Sequence, residues 1–335
     1  MERPKVSVIV CTYNQEDTIG EALESILAQK VDFAYEILLA DDCSQDKTPD
    51  VCREYANRYP DRIRLILNGK NKGIVDNYYD CIETCKGEYI ADLAGDDVWC
   101  DENKLVRQVQ LMDSDPEIVL THADWRMMHR DGRFSRPDWL NGSQNGKVYN
   151  GKDLLPLLLN HKKELYFIHL CTSMYRRATV LSLIEEYKDL VRNPQWPCED
   201  YQLEVLLATK GKIAYEPNCV LNYRVGHPSL SSEENNAKNV RFAGGVLKLT
   251  HDLTLKLGYS LEINRDYYRK TMRYIAMNTF RSGNEKTRDE FNQIYWNDYW
   301  GKGNSTVSWL VHKLVLNRYI WGVSRYIWCA IKSIV

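Results

Sequence analysis

Two short apolar segments of this chain each end in a pair of aspartates, and no other feature constrains the fold as much. Glu36-Ile37-Leu38-Leu39-Ala40 runs into Asp41-Asp42. Some fifty residues on, Glu88-Tyr89-Ile90-Ala91-Asp92-Leu93-Ala94-Gly95 runs into Asp96-Asp97. Short apolar runs bounded by turn signals read as buried strands. In an open α/β sheet, ligands bind outside the carboxyl ends of the strands. Carboxylates gathered there repel one another unless a cation or a hydrogen-bond donor lies between them. A divalent metal carrying a nucleotide diphosphate meets that requirement.

The surrounding pattern supports such a sheet. Val6 to Val10 is a β-branched strand pattern, and Ile19, Leu23, Ile26 and Leu27 follow at helical spacing. Thr48 with Pro49 suits a helix start. Ile63 to Leu67 reads as a third strand, Val75 to Cys85 as a helix stopped by Lys86-Gly87, and Tyr89 to Leu93 as a fourth strand. Strands alternating with helices imply βαβ units and a mostly parallel sheet. Right-handed crossovers place the strand ends on one edge, bringing Tyr13, Asp41 and Asp96-Asp97 together. Further on, a helix is expected over 104–112 and a strand over 118–128, and the stretch from Phe134 to Lys147 reads as a polar loop. Later expectations are a strand over 171–175, a helix over 177–187, a helix over 201–210, and two short strands at 213–216 and 220–224. After about residue 231, long helical patterns replace the strand–helix units.

Composition narrows the class. The 335 residues have a net charge of −2, so the basic footprint of a nucleic-acid binder is missing. Ten cysteines lie without metal-ligand spacing and read as free thiols in a reducing compartment. Met1 to Lys5 leads directly into a strand, whereas a signal peptide needs a longer apolar core. There is no uninterrupted apolar run of about 18 residues to mark a spanning helix. A cytoplasmic chain is expected.

Four motifs in order carry a family resemblance. Val6 to Asn14 resembles the opening strand of the family-2 glycosyltransferases. Asp41-Asp42-Cys43-Ser44 through Thr48 resembles their second-strand motif, Gly87 to Ile90 with Gly95-Asp96-Asp97 their metal motif, and Glu199-Asp200 their late acidic motif. The resemblance covers roughly the first 230 residues; each motif alone is weak, but their order is specific. It implies a GT-A nucleotide-diphospho-sugar transferase fold, a Rossmann-like sheet flanked by helices, and inverting transfer of a sugar. The expected division is a catalytic domain over 1–230 and a helical extension over 231–335.

Physical roles follow for the matched positions. Thr12 and Tyr13 hold the nucleotide, the Tyr13 ring stacking on the base. Asp41 accepts a hydrogen bond from an imide N–H, a group that uracil offers and cytosine lacks. A UDP-sugar is therefore the expected donor. By resemblance, Asp96 lies near the ribose or the metal. Asp97 is the first choice as ligand of Mg²⁺ or Mn²⁺, which favour hard oxygen donors. Many family members carry an acid where this chain has Ala94, and often a glycine where it has Cys43. Asp200 is the expected general base, taking the proton of an acceptor hydroxyl, with Glu199 orienting it or the acceptor. In the loop after the last core strands, Arg224 is a candidate phosphate partner, and His227 would complete the metal shell. The structural alternatives are a packing tyrosine at 13 and a helix-capping acid at 41 or 200.

The expected acceptor is a surface glycan or a lipid-linked saccharide. In the segment from Trp309 to Lys332, Arg318, Arg325 and Lys332 fall on one helical face beside tryptophans and tyrosines. That segment reads either as a membrane-interface helix or as a helix packed on the catalytic domain. Two other function classes fit the sequence less well. A sugar nucleotidyltransferase needs a glycine-rich basic loop after the first strand, and Cys11-Thr12-Tyr13-Asn14-Gln15-Glu16 supplies neither glycine nor lysine. A non-catalytic nucleotide-sugar-binding subunit would fit Ala94, but not the retained Asp200.

Overall fold

The computed structural model describes residues 3–137, 148–226 and 235–291. The strand–helix alternation of the N-terminal half is realised. The elements are β1 (Val6–Thr12), α1 (Ile19–Leu27), β2 (Tyr35–Asp41), α2 (Thr48–Arg58), β3 (Ile63–Leu67), α3 (Ile74–Thr84) and β4 (Tyr89–Asp92). Then come β5 (Val98–Trp99), α4 (Lys104–Ser114), β6 (Ile118–Met128), β7 (Phe134–Ser135), β8 (Val148–Asn150), α5 (Gly151–Leu159) and β9 (Met174–Arg176). They are followed by α6 (Arg177–Glu186), α7 (Lys188–Val191), α8 (Asp200–Ala208) and β10 (Lys212–Arg224).

One sheet joins the strands in the order β3-β2-β1-β4-β9-β6-β10-β5, with β7 added to β6 and β8 to β10. Strands β1 to β4 pair in parallel, and so do β6 and β10. The reversed strand β9 joins these two parallel blocks. Central strands buried on both faces read as continuous apolar runs, and β1 and β2 are buried almost throughout. Their inward side chains, with Ile19, Leu23 and Ile26 of α1, form the main core. The chain moves outward from β1 through β2 to β3, then returns to place β4 on the other side of β1. That reversal makes the carboxyl ends of β1 and β4 a topological switch point, where ligands of such sheets bind.

The later part departs from the expected pattern in three places. The two short strands expected at 213–216 and 220–224 are one strand, β10. Its register with β6 breaks around Glu216 and Cys219, where Pro217 offers no N–H to the ladder. The strand expected over 171–175 starts at Met174, after a single 3₁₀ turn at Leu170–Thr172. The short elements β5, α5 and α7 have too few residues, or too little apolar periodicity, to stand out from sequence.

The chain divides into two compact units, one of Met1–Leu158 with Lys162–His227, the other of Leu159–His161 with Pro228–Val335. In the second unit, α9 (Asn236–Lys256) opens on Asn235, whose side chain accepts from the Ala237 and Lys238 amides. α10 (Arg265–Ser282) ends at Gly283 with φ 64°, and α11 (Glu285–Phe291) follows. Val240, Leu247, Met272, Ile275 and Phe291 form a separate small core there. His227 and the 309–332 segment lie outside the described residues. No described helix is long and apolar enough to cross a membrane.

Candidate active site

Three loops at the carboxyl edge of the sheet are laced together. Thr12 and Asp41 are register partners at the ends of β1 and β2. Beyond them, the Asn14 amide donates to Ser44 Oγ at 2.8 Å, the Gln45 amide to Asn14 Oδ1 at 2.8 Å, and the Gln15 amide to Thr48 Oγ1 at 2.7 Å. The third loop joins through Thr18, whose hydroxyl donates to the Gly95 carbonyl at 3.0 Å. A Cβ on Gly95 would displace the end of the Gln15 side chain and sit tightly against Thr12 Oγ1 and Ile19, so this loop packs closely on the first. The loops after β1, β2 and β4 therefore form one surface. Tyr13 stands out from it, 46 % exposed, while Thr12 is buried. Cys43 holds φ 64°, a backbone conformation that costs a side chain something and a glycine nothing.

The two aspartate pairs are held very differently. Asp41 is buried, and both its oxygens are fixed by Ser44: Oδ2 accepts from the amide at 3.1 Å and Oδ1 from the hydroxyl. Asp42 is spent on the fold. Its Oδ1 accepts from Asn68 Nδ2 at 3.0 Å and from the Lys72 amide at 2.9 Å, and its Oδ2 from the Gly73 amide at 2.9 Å. It thereby pins the 68–73 loop to the end of β2.

Asp96 is half-buried at the tip of the third loop, whereas Asp97 is 1 % exposed and turned inward. Asp97 Oδ1 accepts the Arg224 amide at 2.9 Å. Burial, and then the neighbouring charge of Asp96, push its carboxyl group well above the usual range; the Arg224 amide only partly offsets this. Arg224 is not aimed outward as a free phosphate partner. Its guanidinium donates to the Asp96 carbonyl at 2.8 Å and to Glu21 at 2.6 Å, tying β10 to the third loop and to α1.

Among the described residues, no three His, Cys, Asp or Glu side chains converge as a ready-made metal cage. Mg²⁺ is commonly held by only one or two carboxylates plus substrate phosphates. The half-buried Asp96, a hard oxygen donor at the switch point, fits that mode better than the inward Asp97.

Glu199 and Asp200 sit at the start of α8, Asp200 as its first residue. The fully buried Tyr79 of α3 donates its hydroxyl to the Glu199 carbonyl at 2.9 Å, fixing the backbone that presents the pair. Asp200 Oδ1 accepts its own next amide, Tyr201 N–H, at 2.7 Å. Withdrawal from water, then the charge of Asp200, raise Glu199 to about 8. The pair lies close to the other loops: the charge of Glu199 acts on Cys11 at the end of β1, and that of Asp200 on Asp92 at the end of β4.

Beneath these loops is a buried polar cluster that the sequence reading passed over. Asp92 Oδ1 accepts from Tyr175 OH at 3.2 Å, and Tyr175 OH lies 2.5 Å from Tyr78 OH. Burial raises Asp92 to about 7 and lowers Lys104 to about 7, each opposing charge partly offsetting the shift. Lys104 Nζ donates to Gln108 Oε1 at 2.8 Å and lies 4.2 Å from the Trp99 ring centre. The available signal was Asp92 itself, an acid inside an otherwise apolar strand. Tyr79 gave no signal, because one tyrosine on a helix face looks like any other core residue.

With this geometry in view, the comparisons with known proteins are specific. The model of Glycosyl transferase family 2 matches residues 7–181, and the chain belongs to that family. An uncharacterized protein of Mycobacterium bovis is 34 % identical over 219 residues, 65 % of this chain. The chain matches 58 % of that relative's length. Among solved structures, the mannosyltransferase PcManGT of Pyrobaculum calidifontis, in complex with GDP-Man and Mn²⁺, superposes with a TM-score of 0.55 at 15 % identity, covering 98 % of this chain and 87 % of that one. TarS 1-349 of S. aureus in complex with UDP-GlcNAc gives a TM-score of 0.53 at 16 % identity, covering 95 % and 92 %. At such identities the likeness concerns the fold, which is GT-A.

Proposed function

We propose that the chain is an inverting, metal-dependent glycosyltransferase that moves a sugar from a UDP-sugar to a hydroxyl of a glycan or lipid-linked saccharide. The observation that carries this reading is the meeting of three parts at one sheet edge. These are the exposed ring of Tyr13, the half-buried carboxylate of Asp96, and the acidic start of α8. Tyr13 stacks on the base, while Thr12 supports the loop that carries it. Ser44 occupies one acceptor direction on each Asp41 oxygen and leaves others to read the uracil imide. Asp96 holds Mg²⁺ or Mn²⁺ together with the donor phosphates, and the ion offsets the charge of the departing diphosphate. Asp97 shapes the turn from below.

Asp200 receives the proton of the acceptor hydroxyl as that oxygen attacks the anomeric carbon from the face opposite the diphosphate. Glu199 keeps the acceptor oriented. The structural neighbours, TarS bound to UDP-GlcNAc and PcManGT bound to GDP-Man and Mn²⁺, are consistent with a nucleotide-sugar donor and a divalent ion. The same reading divides the protein into a catalytic domain over 1–230 and a helical extension over 231–335, for which peripheral contact with the inner membrane surface is one of two readings, and keeps His227 as a candidate for the metal shell.

A thermal-shift screen of nucleotide-sugars with and without Mn²⁺ tests this. Ligand binding raises the melting temperature by mass action. UDP-sugars are expected to give the largest shift, and only with the ion present. A metal-independent shift, or a preference for a nucleotide without an imide N–H, would overturn the donor assignment.

A further inference from the structure

The cysteines of the described residues are all free, and their thiols meet in two places. Cys11 lies against Cys81 below the active-site loops, where Cys81 is buried and out of reach of solutes. Cys100 lies against Cys219 at the surface, the first exposed and the second half-buried. This second pair is clamped by backbone on both sides. The Cys100 amide donates to the Val220 carbonyl at 2.9 Å, and the Cys100 thiol reaches the Cys219 carbonyl at 3.4 Å. β5 and β10 run antiparallel here, Trp99 facing Leu221. The register of β10 with β6 shifts on either side of Cys219, so the regular alternation of the strand is interrupted there. With the Cys100 thiol on the Cys219 backbone and the two residues on neighbouring strands, the pair is close enough in the fold to be bridged.

We propose that Cys100 and Cys219 form a reversible dithiol–disulfide pair, oxidised by low-molecular-weight disulfides. The Cys219 sulfur attacks one sulfur of the small disulfide, making a mixed disulfide and releasing one small thiolate. Cys100 then gives up its proton and attacks Cys219 Sγ, expelling the second small thiolate. Two protein thiols are oxidised, one small disulfide is reduced to two thiols, and the protons go to the released thiolates. The order follows from the surroundings. A hydrogen bond from Cys100, then Arg126 and Arg136, lower Cys219 to about 7 against burial and Asp124, and the thiolate is the attacking form. The bond has a place in the site's architecture. β5 opens directly after Asp97 and β10 ends at Arg224, so the cross-link fastens the two strands that carry the Arg224–Asp97 hydrogen bond. The inference does not depend on the sugar-transfer reading.

The full chain is treated with glutathione disulfide, its remaining thiols are blocked, and it is mapped by non-reducing peptide mass spectrometry. The expected result is one cross-linked peptide pair, Cys100 with Cys219, which is lost on adding dithiothreitol. In Cys100→Ser no second thiol remains to displace the glutathione, and an adduct accumulates on Cys219. In Cys219→Ser no cross-link forms. Separate glutathione adducts on both residues of the unmodified protein, or cross-links to other cysteines instead, would overturn the proposal. So would a Cys219 that stays unmodified in Cys100→Ser.

Discussion

The turns after β2 and β4 carry the same Asp-Asp dipeptide and put it to opposite uses. In the first, Asp42 accepts from the Asn68 side chain and from the Lys72 and Gly73 amides, and anchors a loop. In the second, Asp97 is equally buried, but the Arg224 amide and the Cys171 thiol only partly offset burial and the charge of Asp96 beside it. Asp42 is a carboxylate compensated by donors. Asp97 is an acid that burial holds well above the ordinary range. The partner residues diverge too, Asp41 being locked by Ser44 and Asp96 left half-buried at the tip. A dipeptide fixes charge; the donors around it decide whether that charge stabilises the fold or waits for a ligand.

The largest effect is expected at the third acidic pair, which has no counterpart in that comparison. Asp200→Asn keeps the acceptor for the Tyr201 amide but cannot take a proton. Transfer should fall by about 10²–10⁴-fold, measured as sugar release from the donor in the presence of acceptor, with UDP affinity retained. Transfer at a near-normal rate would remove Asp200 from the role of base.

The comparison itself is sharpened by a pair of stability measurements. Asp42→Ala leaves buried N–H donors without an acceptor, at a cost of about 1–3 kcal/mol for each group left unsatisfied. Its melting temperature should fall by several degrees. Asp97→Asn removes an under-compensated buried acid and should leave the melting temperature at neutral pH unchanged or raised. Equal losses in the two variants would break the contrast.

A smaller effect is expected in the pH dependence. Glu199 is raised from 4.5 to about 8 in the folded protein, so between those values the folded state holds a proton that the unfolded state has released. Its contribution to stability therefore falls as pH rises from about 4.5 to about 8. Melting curves of Glu199→Gln across that window should slope less steeply than those of the unmodified protein.

Much of the fold was legible because the N-terminal half is built from long periodic units. β1 to β4 and the helices between them carry clean apolar patterns, and turn residues mark their ends. The site was legible only as far as the acids that end those strands. How the second member of each pair is held depends on amides from loops remote in sequence, Arg224 on Asp97 and Gly73 on Asp42. Local pattern does not encode such contacts. Arg224 shows this most clearly: at the end of its strand it reads as a phosphate partner, yet it braces Asp96, Asp97 and Glu21. Tyr79 illustrates the same limit, since its role depends on where α8 begins.

Under the proposed function Asp96 serves the ligand, while Asp97 and Asp42 serve the fold. Titration calorimetry of UDP into Asp96→Asn, with and without Mn²⁺, tests it most directly. The predicted result is a variant that melts like the unmodified protein but no longer gains UDP affinity from the ion. An ion-dependent gain as large as that of the unmodified protein would contradict it.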